Sequence, residues 1–394
     1  MKILVVCQYY KPEPFRVSDI CEALAAQGHA VTVVTGTPNY PEGEIYPGYE
    51  GTVHRDEIIN GVRVHRCPIH PRKRGALHRF WNYYSFVFAS GRYLSRLEED
   101  FDVVLVNQLS PVMMAEGALD WAKRHGKKTV LYCLDLWPES LAAGGIRPGS
   151  LIYRAFWHIS RRIYRRADTI AITSQGFGDY FRTALKLPDA KLVYLPQYAE
   201  ALFAQLPDAP PHPGVFNAVF AGNTGELQAV ETIVEAAEKL AARPDIQFHI
   251  VGDGVRLDAC RRLAEGLSNV TFYGRRDVSE MPGFYAMADV MLVTLKADPV
   301  LSLTLPGKVQ SYLAAGKPVA GAINGETAAV VADADCGVCV AAEDASALAD
   351  ALASLADAPE RLRTYGENAR RYYEAHFRKD AFLRKLTDVL KENC

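Results

Sequence analysis

The chain has 394 residues, 49% hydrophobic and 23% charged, with a formal net charge of −2. That length favours two domains over one, and the near-neutral charge excludes a protein that holds nucleic acid through bulk positive charge. No cleavage pattern follows the short apolar start at 1–6 and no apolar run is long enough to span a bilayer, so a cytoplasmic protein is expected.

In chain order, residues 3–6 form a continuous apolar run, as a strand buried on both faces requires. Apolar spacing predicts a helix over 17–27 stopped by Gly28, then a strand over 30–35. The same rhythm continues through strands expected over 103–107, 128–134, 169–173 and 192–194, and it specifies a parallel, doubly wound sheet. Residues 196–214 break the rhythm, where Pro207, Pro210, Pro211 and Pro213 make a stiff, non-helical link. A second α/β run then begins, with strands expected over 217–221, 246–251, 270–273, 290–293 and 318–320. Its clearest helices are expected over 227–240 and 345–355, and 361–392 reads as one charged helical segment.

The expected architecture is therefore α/β, with two Rossmann-like domains facing across a cleft. The first covers 1–200, a linker 201–214, and the second 215–371. A terminal helix from about 372 to 394 is expected to pack back on the first domain. Open α/β sheets bind ligands at the carboxyl ends of their strands.

Three segments carry chemistry in the second half. Residues 305–319 read as a turn at Pro306-Gly307, a short helix with Val309, Tyr312 and Leu313 on its apolar face, a stop at Gly316, and a strand after Pro318. Lys308 falls at the helix entrance, where main-chain N–H groups and the positive dipole end favour an anion. Ala221-Gly222-Asn223-Thr224-Gly225 lies between a strand and a helix, so its glycines permit close approach to a pyrophosphate, although a plain turn is an alternative. Gly252-Asp253-Gly254 ends another strand and permits the same approach.

In the first half, Asp135 in Asp135-Leu136-Trp137-Pro138-Glu139-Ser140 ends a strand and points a carboxylate at the ligand end of the sheet. A helix cap, by Asp135 or Ser140, is the other reading. Asn107-Gln108-Leu109-Ser110-Pro111 follows the preceding strand and offers polar contacts or a capping turn. Lys11-Pro12-Glu13-Pro14-Phe15-Arg16 is charged but lacks the glycine-rich dinucleotide fingerprint, which argues against a nicotinamide cofactor. Residues 71–88 mix basic and aromatic side chains, as does the neighbourhood of Arg161, Arg162, Arg165 and Arg166. Such segments suit an anionic membrane surface, or a helix with a solvated basic face; no nucleic-acid motif accompanies them. Cys336-Gly337-Val338-Cys339 has no second pair and reads as neither a zinc site nor a redox motif.

Taken together, Gln8-Tyr9-Tyr10-Lys11-Pro12-Glu13, Phe15-Arg16, Pro38-Asn39-Tyr40-Pro41-Glu42-Gly43, Gln108-Leu109-Ser110-Pro111, Asp135 to Ser140, Ala221-Gly222-Asn223 and Pro306-Gly307-Lys308 resemble the retaining glycosyltransferases of family four, with the GT-B fold. Within that family the chain most resembles fucosamine-transferase-type enzymes of bacterial O-antigen and capsule synthesis. The resemblance implies transfer of an amino or N-acetylamino sugar from a nucleotide diphosphate, leaning to UDP, with retention and without an obligatory metal or other cofactor. It implies an undecaprenyl-diphosphate-linked saccharide as acceptor and a peripheral position on the inner face of the cytoplasmic membrane, reached through residues 72–88.

Under the resemblance, Gly222, Asn223, Gly225, Gln228, Gly252, Pro306, Gly307, Lys308, Val309 and Ser311 serve the donor, with Gly274 and Arg275 flanking the base. Asp135 contacts the transferring sugar, and Asp135 and Lys308 carry the catalysis. Glu13, Phe15, Arg16, Gln108 and Ser110 serve the acceptor.

The chain departs from the commoner family pattern. Leu303 and Ser311 stand at two positions often held by glutamate, and Asn223 and Gln228 at positions often held by arginine and lysine. Amides hydrogen-bond but cannot neutralise developing charge, which leaves Lys308 as the foremost cation for the leaving diphosphate and Arg275 or Arg276 as second. A sugar-nucleotide epimerase on the same fold, or a non-catalytic sugar-nucleotide-binding partner, are the alternative readings.

Overall fold

A computed structural model of the chain describes all residues except Arg74, Gly144, Ala209, Pro210, Pro211 and Pro213, and the side chains of Ala76, Arg79 and Ala143. The expected stiff link thus falls partly outside the described residues. The chain divides into two compact units: 1–173 with 177–195 and 383–394, and 174–176 with 196–382.

In unit 1 the elements are β1 (Lys2–Cys7), α1 (Arg16–Ala26), β2 (Ala30–Gly36), β3 (Asp56–Ile59), β4 (Val62–Cys67), α2 (Ala76–Leu94), β5 (Val103–Gln108), α3 (Glu116–His125), β6 (Lys128–Cys133), α4 (Glu139–Ala143), α5 (Leu151–Arg166), β7 (Thr169–Ile172), α6 (Gln175–Thr183) and β8 (Leu192–Tyr194). They build an eight-stranded sheet in the order β3-β4-β2-β1-β5-β6-β7-β8. Every pairing is parallel except the β3–β4 hairpin. That hairpin, which the apolar rhythm alone does not announce, turns on Asn60-Gly61. Both residues have positive φ (48° and 82°), the pairing a tight two-residue hairpin needs. The central strands β1 and β5 are apolar and buried on both faces, as parallel strands covered by helices must be.

Unit 2 holds β9 (Phe216–Ala221), α7 (Glu231–Lys239), β10 (Ile246–Val251), α8 (Leu257–Leu263), β11 (Val270–Gly274), α9 (Met281–Met287), β12 (Val290–Thr294), α10 (Gly307–Ala314), β13 (Val319–Ala322), α11 (Glu326–Asp333), β14 (Gly337–Val340), α12 (Ala345–Ala356) and α13 (Pro359–His376). Its six strands run parallel in the order β11-β10-β9-β12-β13-β14. Two apolar clusters form its core, one containing Val309, Tyr312 and Leu313 of α10 and the other Phe220, Ile233 and Leu352. The last helix, α14 (Lys379–Glu392), begins in unit 2 and ends in unit 1, where the Thr387 hydroxyl donates to Gln27 Oε1 (3.2 Å).

Two expected helices differ. The helix expected over 227–240 starts only at Glu231. Ala229 takes a left-handed φ of 46°, and the Thr294 hydroxyl claims the Gln228 carbonyl (2.6 Å), so that turn cannot join the helix. The segment expected as one helix over 361–392 is two, α13 and α14, separated at Phe377-Arg378. Phe377 is only 2% exposed, and its burial in the core of unit 2 sets the break.

Strand order reverses between β1 and β5 in unit 1 and between β9 and β12 in unit 2. At such switch points the loops leave a sheet in opposite directions and open a crevice at the carboxyl ends. The loop after β1 holds Glu13, Phe15 and Arg16, the loop after β5 holds Ser110, the loop after β9 holds Gly222 to Gly225, and α10 follows β12.

Candidate functional site

In unit 2, β9 and β12 pair only through Val290–Ala218 and Met291–Val219, so their carboxyl ends diverge. The buried Tyr312 of α10 fills the divergence, its hydroxyl 3.2 Å from the carbonyls of both Ala221 and Leu292, to one of which it donates at a time. This contact fixes α10 against the strand end that carries Gly222. Tyr312 was legible in the sequence only as a core residue.

The Gly222 loop is laced to the loop after β10. Gly222 N–H donates to Val251 O (2.9 Å), Thr224 N–H to Asp253 O (3.0 Å), and Arg256 N–H to Thr224 O (3.0 Å). A β-carbon on Gly252 would stand 1.8 Å from the Gly222 carbonyl, so only glycine lets these backbones meet. Gly222 itself has φ 147°, and a β-carbon there would lie 2.7 Å from Lys308 Nζ.

Lys308 Nζ is the atom the arrangement centres on. It is shielded from solvent, has no hydrogen-bond partner among the described residues, and lies 3.9 Å from the centroid of the Phe220 ring. Burial pushes its amine from the ordinary 10.5 down to about 7. At the helix entrance where the sequence places it, the side chain turns inward beneath Gly222. The Thr224 hydroxyl, a second buried polar group without a partner among the described residues, lies in the same loop as Gly222. Two orphaned polar groups at the carboxyl end of a switch-point strand are what an incoming anion with oxygen acceptors would satisfy.

The other expected donor residues divide by their surroundings. Asn223 is exposed at the loop tip, and Gly225 is buried behind it. Gln228 lies in the turn before α7, its N–H on Gly225 O (3.3 Å). Gly274 ends β11 beside the loop of Gly252, and the exposed Arg275 follows it. Gly252 N–H donates to Gly274 O (2.9 Å). Pro306 precedes the helix in extended conformation and Gly307 opens it. Val309 is corrected: its side chain is fully buried and its N–H donates to Pro306 O (2.9 Å), so it supports α10 rather than presenting an N–H to a ligand. Ser311 is 4% exposed, its hydroxyl 3.5 Å from Glu200 Oε2 and 3.4 Å from Gly307 O. Leu303 ends a short helical turn over 301–303, and its carbonyl accepts the Ser174 hydroxyl (2.5 Å).

In unit 1, Asp135 follows β6 and its Oδ2 accepts both the Ser110 N–H (3.0 Å) and the Ser110 hydroxyl (2.9 Å). The Trp137 indole N–H donates to the Ser110 oxygen (2.8 Å), and Gln108 Nε2 to the Asp135 carbonyl (2.9 Å). Gln108, Ser110 and Asp135 are therefore one network that holds a carboxylate at the carboxyl ends of β5 and β6. Burial pushes the Asp135 carboxyl upward, opposed by the Ser110 donors and by the charge of Arg72. Neither capping reading survives, because Asp135 bonds across to the β5 loop and the Ser140 hydroxyl donates back to Leu136 O (2.7 Å).

Glu13 is buried, and its two oxygens accept the N–H groups of Asn39 (2.9 Å), Tyr40 (2.8 Å) and Tyr10 (3.3 Å). It clamps the loops after β1 and β2 together, and so shapes the crevice through them rather than by its own contact. Phe15 stacks on Tyr9 at 4.8 Å and 12° and meets Tyr40 at 5.1 Å, while Arg16 opens α1. The sequence showed these rings only as separate segments, Gln8-Tyr9-Tyr10, Phe15-Arg16 and Pro38-Asn39-Tyr40, and the fold brings them together.

Of the basic aromatic segment, Leu77, Phe80, Trp81 and Phe88 project from α2 and are 46–71% exposed. Arg74 and the Arg79 side chain lie outside the described residues. The second basic cluster is tied into unit 1: Arg162 pairs with Glu116 (2.7 Å), Arg166 with Asp120, and Arg161 Nε donates to Leu185 O (3.1 Å). Among the described residues no three His, Cys, Asp or Glu side chains are placed to hold a metal ion, and no helix is long and apolar enough to cross a membrane.

Two parallel α/β units, each with a ligand crevice at its switch point, define a two-domain protein of the GT-B fold. Comparison with known proteins makes the class specific. Residues 15–197 match the family described as glycosyl transferase 4-like domain, and residues 216–358 that described as glycosyl transferases group 1. The protein named as a colanic acid biosynthesis glycosyl transferase, WcaI, of Escherichia coli (strain K12) is 27% identical over 80% of this chain and 82% of its own. A GDP-mannose-dependent alpha-mannosyltransferase of Mycolicibacterium smegmatis is 26% identical over 81% of this chain and 79% of its own. The Anabaena protein HepE, solved with UDP, superposes over the whole of both chains with a TM-score of 0.71 at 14% identity, a likeness of fold. The chain belongs to the glycosyltransferases of family four, and it is an enzyme of the glycosyl-transferring class.

Proposed function

We propose that this enzyme transfers an amino or N-acetylamino sugar from a nucleotide diphosphate, UDP-linked, to a lipid-linked saccharide during synthesis of a bacterial surface polysaccharide such as O-antigen or capsule, with retention at the anomeric carbon. The observation that carries the donor reading is the sealed, unpartnered amine of Lys308 beneath Gly222. A diphosphate seated over the Gly222 loop gives that amine, and the Thr224 hydroxyl, the acceptors they lack. Gly222 and Gly252 keep the loop free of side chains where the phosphates approach, and Lys308 stabilises the charge that grows on the leaving diphosphate.

The sugar acceptor lies in unit 1, where the network of Gln108, Ser110 and Asp135 offers a carboxylate to sugar hydroxyls and the rings of Phe15 and Tyr40 offer apolar faces. The reaction needs no metal, since positioning and the lysine charge supply the stabilisation of the departing phosphate. The acceptor's lipid places the enzyme at the inner face of the cytoplasmic membrane, and the exposed Leu77, Phe80, Trp81 and Phe88 of α2 suit that surface. WcaI, named for colanic acid biosynthesis, supports the polysaccharide reading. HepE supports the UDP reading, against which the mannosyltransferase's GDP-mannose stands as the competing donor.

The test incubates the purified enzyme with a short polyprenyl-diphosphate-linked N-acetylhexosamine and a panel of UDP- and GDP-sugars. One UDP-N-acetylamino sugar is expected to yield a disaccharide whose anomeric configuration, read by proton NMR, matches that of the donor. Turnover with GDP-mannose alone would overturn the donor assignment, and an inverted product would overturn retention.

A further inference from the structure

Arg72 was grouped by sequence with a basic surface segment, yet its surroundings are internal to unit 1. Its N–H donates to Asn39 Oδ1 (2.8 Å), which fixes it to the loop after β2. Its guanidinium carbon lies 5.5 Å from the centroid of the Tyr40 ring and 5.9 Å from that of Tyr83. Its charge acts on Tyr9 and on Asp135. Arg63, Arg66, Arg162, Arg166 and Arg182 of this unit each have a carboxylate partner. Among the described residues no carboxylate lies within salt-bridge distance of Arg72, and residues 58–97 contain no Asp or Glu to supply one.

The Tyr9 hydroxyl shares a side-chain hydrogen bond with Arg72, while the ring faces of Tyr40 and Tyr83 attract the guanidinium but accept none of its N–H bonds in the plane of the fork. Arg72 is thus an oriented, un-neutralised cation beside a carboxylate network already assigned to sugar hydroxyls. We propose that Arg72, positioned by Tyr9, Tyr40 and Tyr83, binds an anionic oxygen group of the acceptor, while Asp135 faces the acceptor's sugar hydroxyls. The planar fork matches phosphate or carboxylate oxygens in a bidentate way that a lysine does not. The group is either the diphosphate that links saccharide to lipid or the carboxylate of an acidic sugar. This inference rests on the placement of the acceptor in unit 1.

The test titrates the full chain, with excess UDP present to occupy unit 2, against three probes: N-acetylglucosaminyl diphosphocitronellol, citronellyl N-acetylglucosaminide and citronellyl glucuronide. The wild type is expected to bind one charged probe at least about tenfold more tightly than the neutral one, the scale of a charge-assisted bidentate contact. In Arg72→Gln that advantage disappears while the neutral probe's affinity and the melting temperature hold, and Arg72→Lys retains part of it. A gain confined to the diphosphate assigns the lipid linkage, and one confined to the glucuronide assigns an acidic sugar. Equal binding of all three probes by the wild type, or an equal loss for all three in Arg72→Gln, overturns the proposal and leaves the acceptor placement standing. Binding of none overturns both.

Discussion

Lys308 Nζ sits 3.9 Å from the centre of the Phe220 ring, with no hydrogen-bond partner among the described residues. The ring face attracts a cation, but a buried polar group left without a hydrogen bond costs about 1–3 kcal/mol. Stability and function therefore oppose each other at this residue. Lys308→Met keeps the stem's packing and removes the orphaned amine. It is expected to raise the melting midpoint of unit 2 by a few degrees, at about 2–4 °C per kcal/mol for a unit of this size. The same variant should lose on the order of 10²-fold or more in kcat with a natural donor, the scale of one removed charge-stabilising contact. Calorimetry and a product assay on one preparation check both. A lowered midpoint with turnover intact would mean that the amine is structural and the diphosphate is held elsewhere.

The same amine links donor binding to protons. Burial holds it near 7 in the free enzyme, and an adjacent diphosphate favours the charged form and raises that value. Donor binding should therefore take up a proton above neutral pH, and affinity should weaken as pH rises from about 7 to 9. Titrations of UDP at pH 8 in buffers of different ionisation enthalpy should show this uptake, and Lys308→Met should abolish it. The sign for folding is the reverse of that for a stabilised charge. The unfolded amine keeps its proton up to its ordinary 10.5 while the folded one sheds it near 7, so this group's contribution to stability rises with pH across that window. A pH-independent UDP affinity in the wild type would remove Lys308 from the diphosphate's surroundings.

Much of this was legible in the residues, because it depends on local rules. The helix of 307–314 and its stop at Gly316, with φ 63°, follow from turn chemistry and apolar spacing. The strand starts follow from continuous apolar runs that only a doubly covered parallel sheet can bury. The Asn60-Gly61 hairpin had a signal in its dipeptide that the helix–strand rhythm masked. What was not legible depends on partners far apart in sequence. Lys308 reads as a helix-entrance cation, and nothing in the sequence sets it against the Phe220 ring of β9. Arg72 reads as a surface charge until Asn39 of the loop after β2 and Tyr83 of α2 come against it. Glu13 reads as a ligand group until three N–H groups from two loops converge on it.

Glu13 gives the sharpest test of how the unit 1 crevice is held. Its carboxylate joins Tyr10 to Asn39 and Tyr40, so Glu13→Ala strands three N–H groups and frees the loops that carry the aromatic rings. A loss of a few kcal/mol is expected, since each buried unpaired donor costs about 1–3 kcal/mol and partial hydration recovers some of that. The acceptor's KM should rise with it, while UDP affinity in unit 2 stays within about twofold, because sites that share no partner act independently. Glu13→Gln keeps an oxygen for Asn39 and Tyr40 and should lose less. Burial also pushes the Glu13 carboxyl up to about 7, against the pull of its three donors. A carboxyl raised in the folded state binds its proton more tightly there than in the unfolded chain. Its contribution to stability is therefore fullest below about 4.5 and is lost as pH rises through 7. Denaturation of the wild type between pH 5 and 8 should show that decline, and Glu13→Gln should flatten it. If Glu13→Ala instead unfolds at the wild-type midpoint and binds acceptor as well as the parent, the carboxylate does not organise these loops and is available to a ligand.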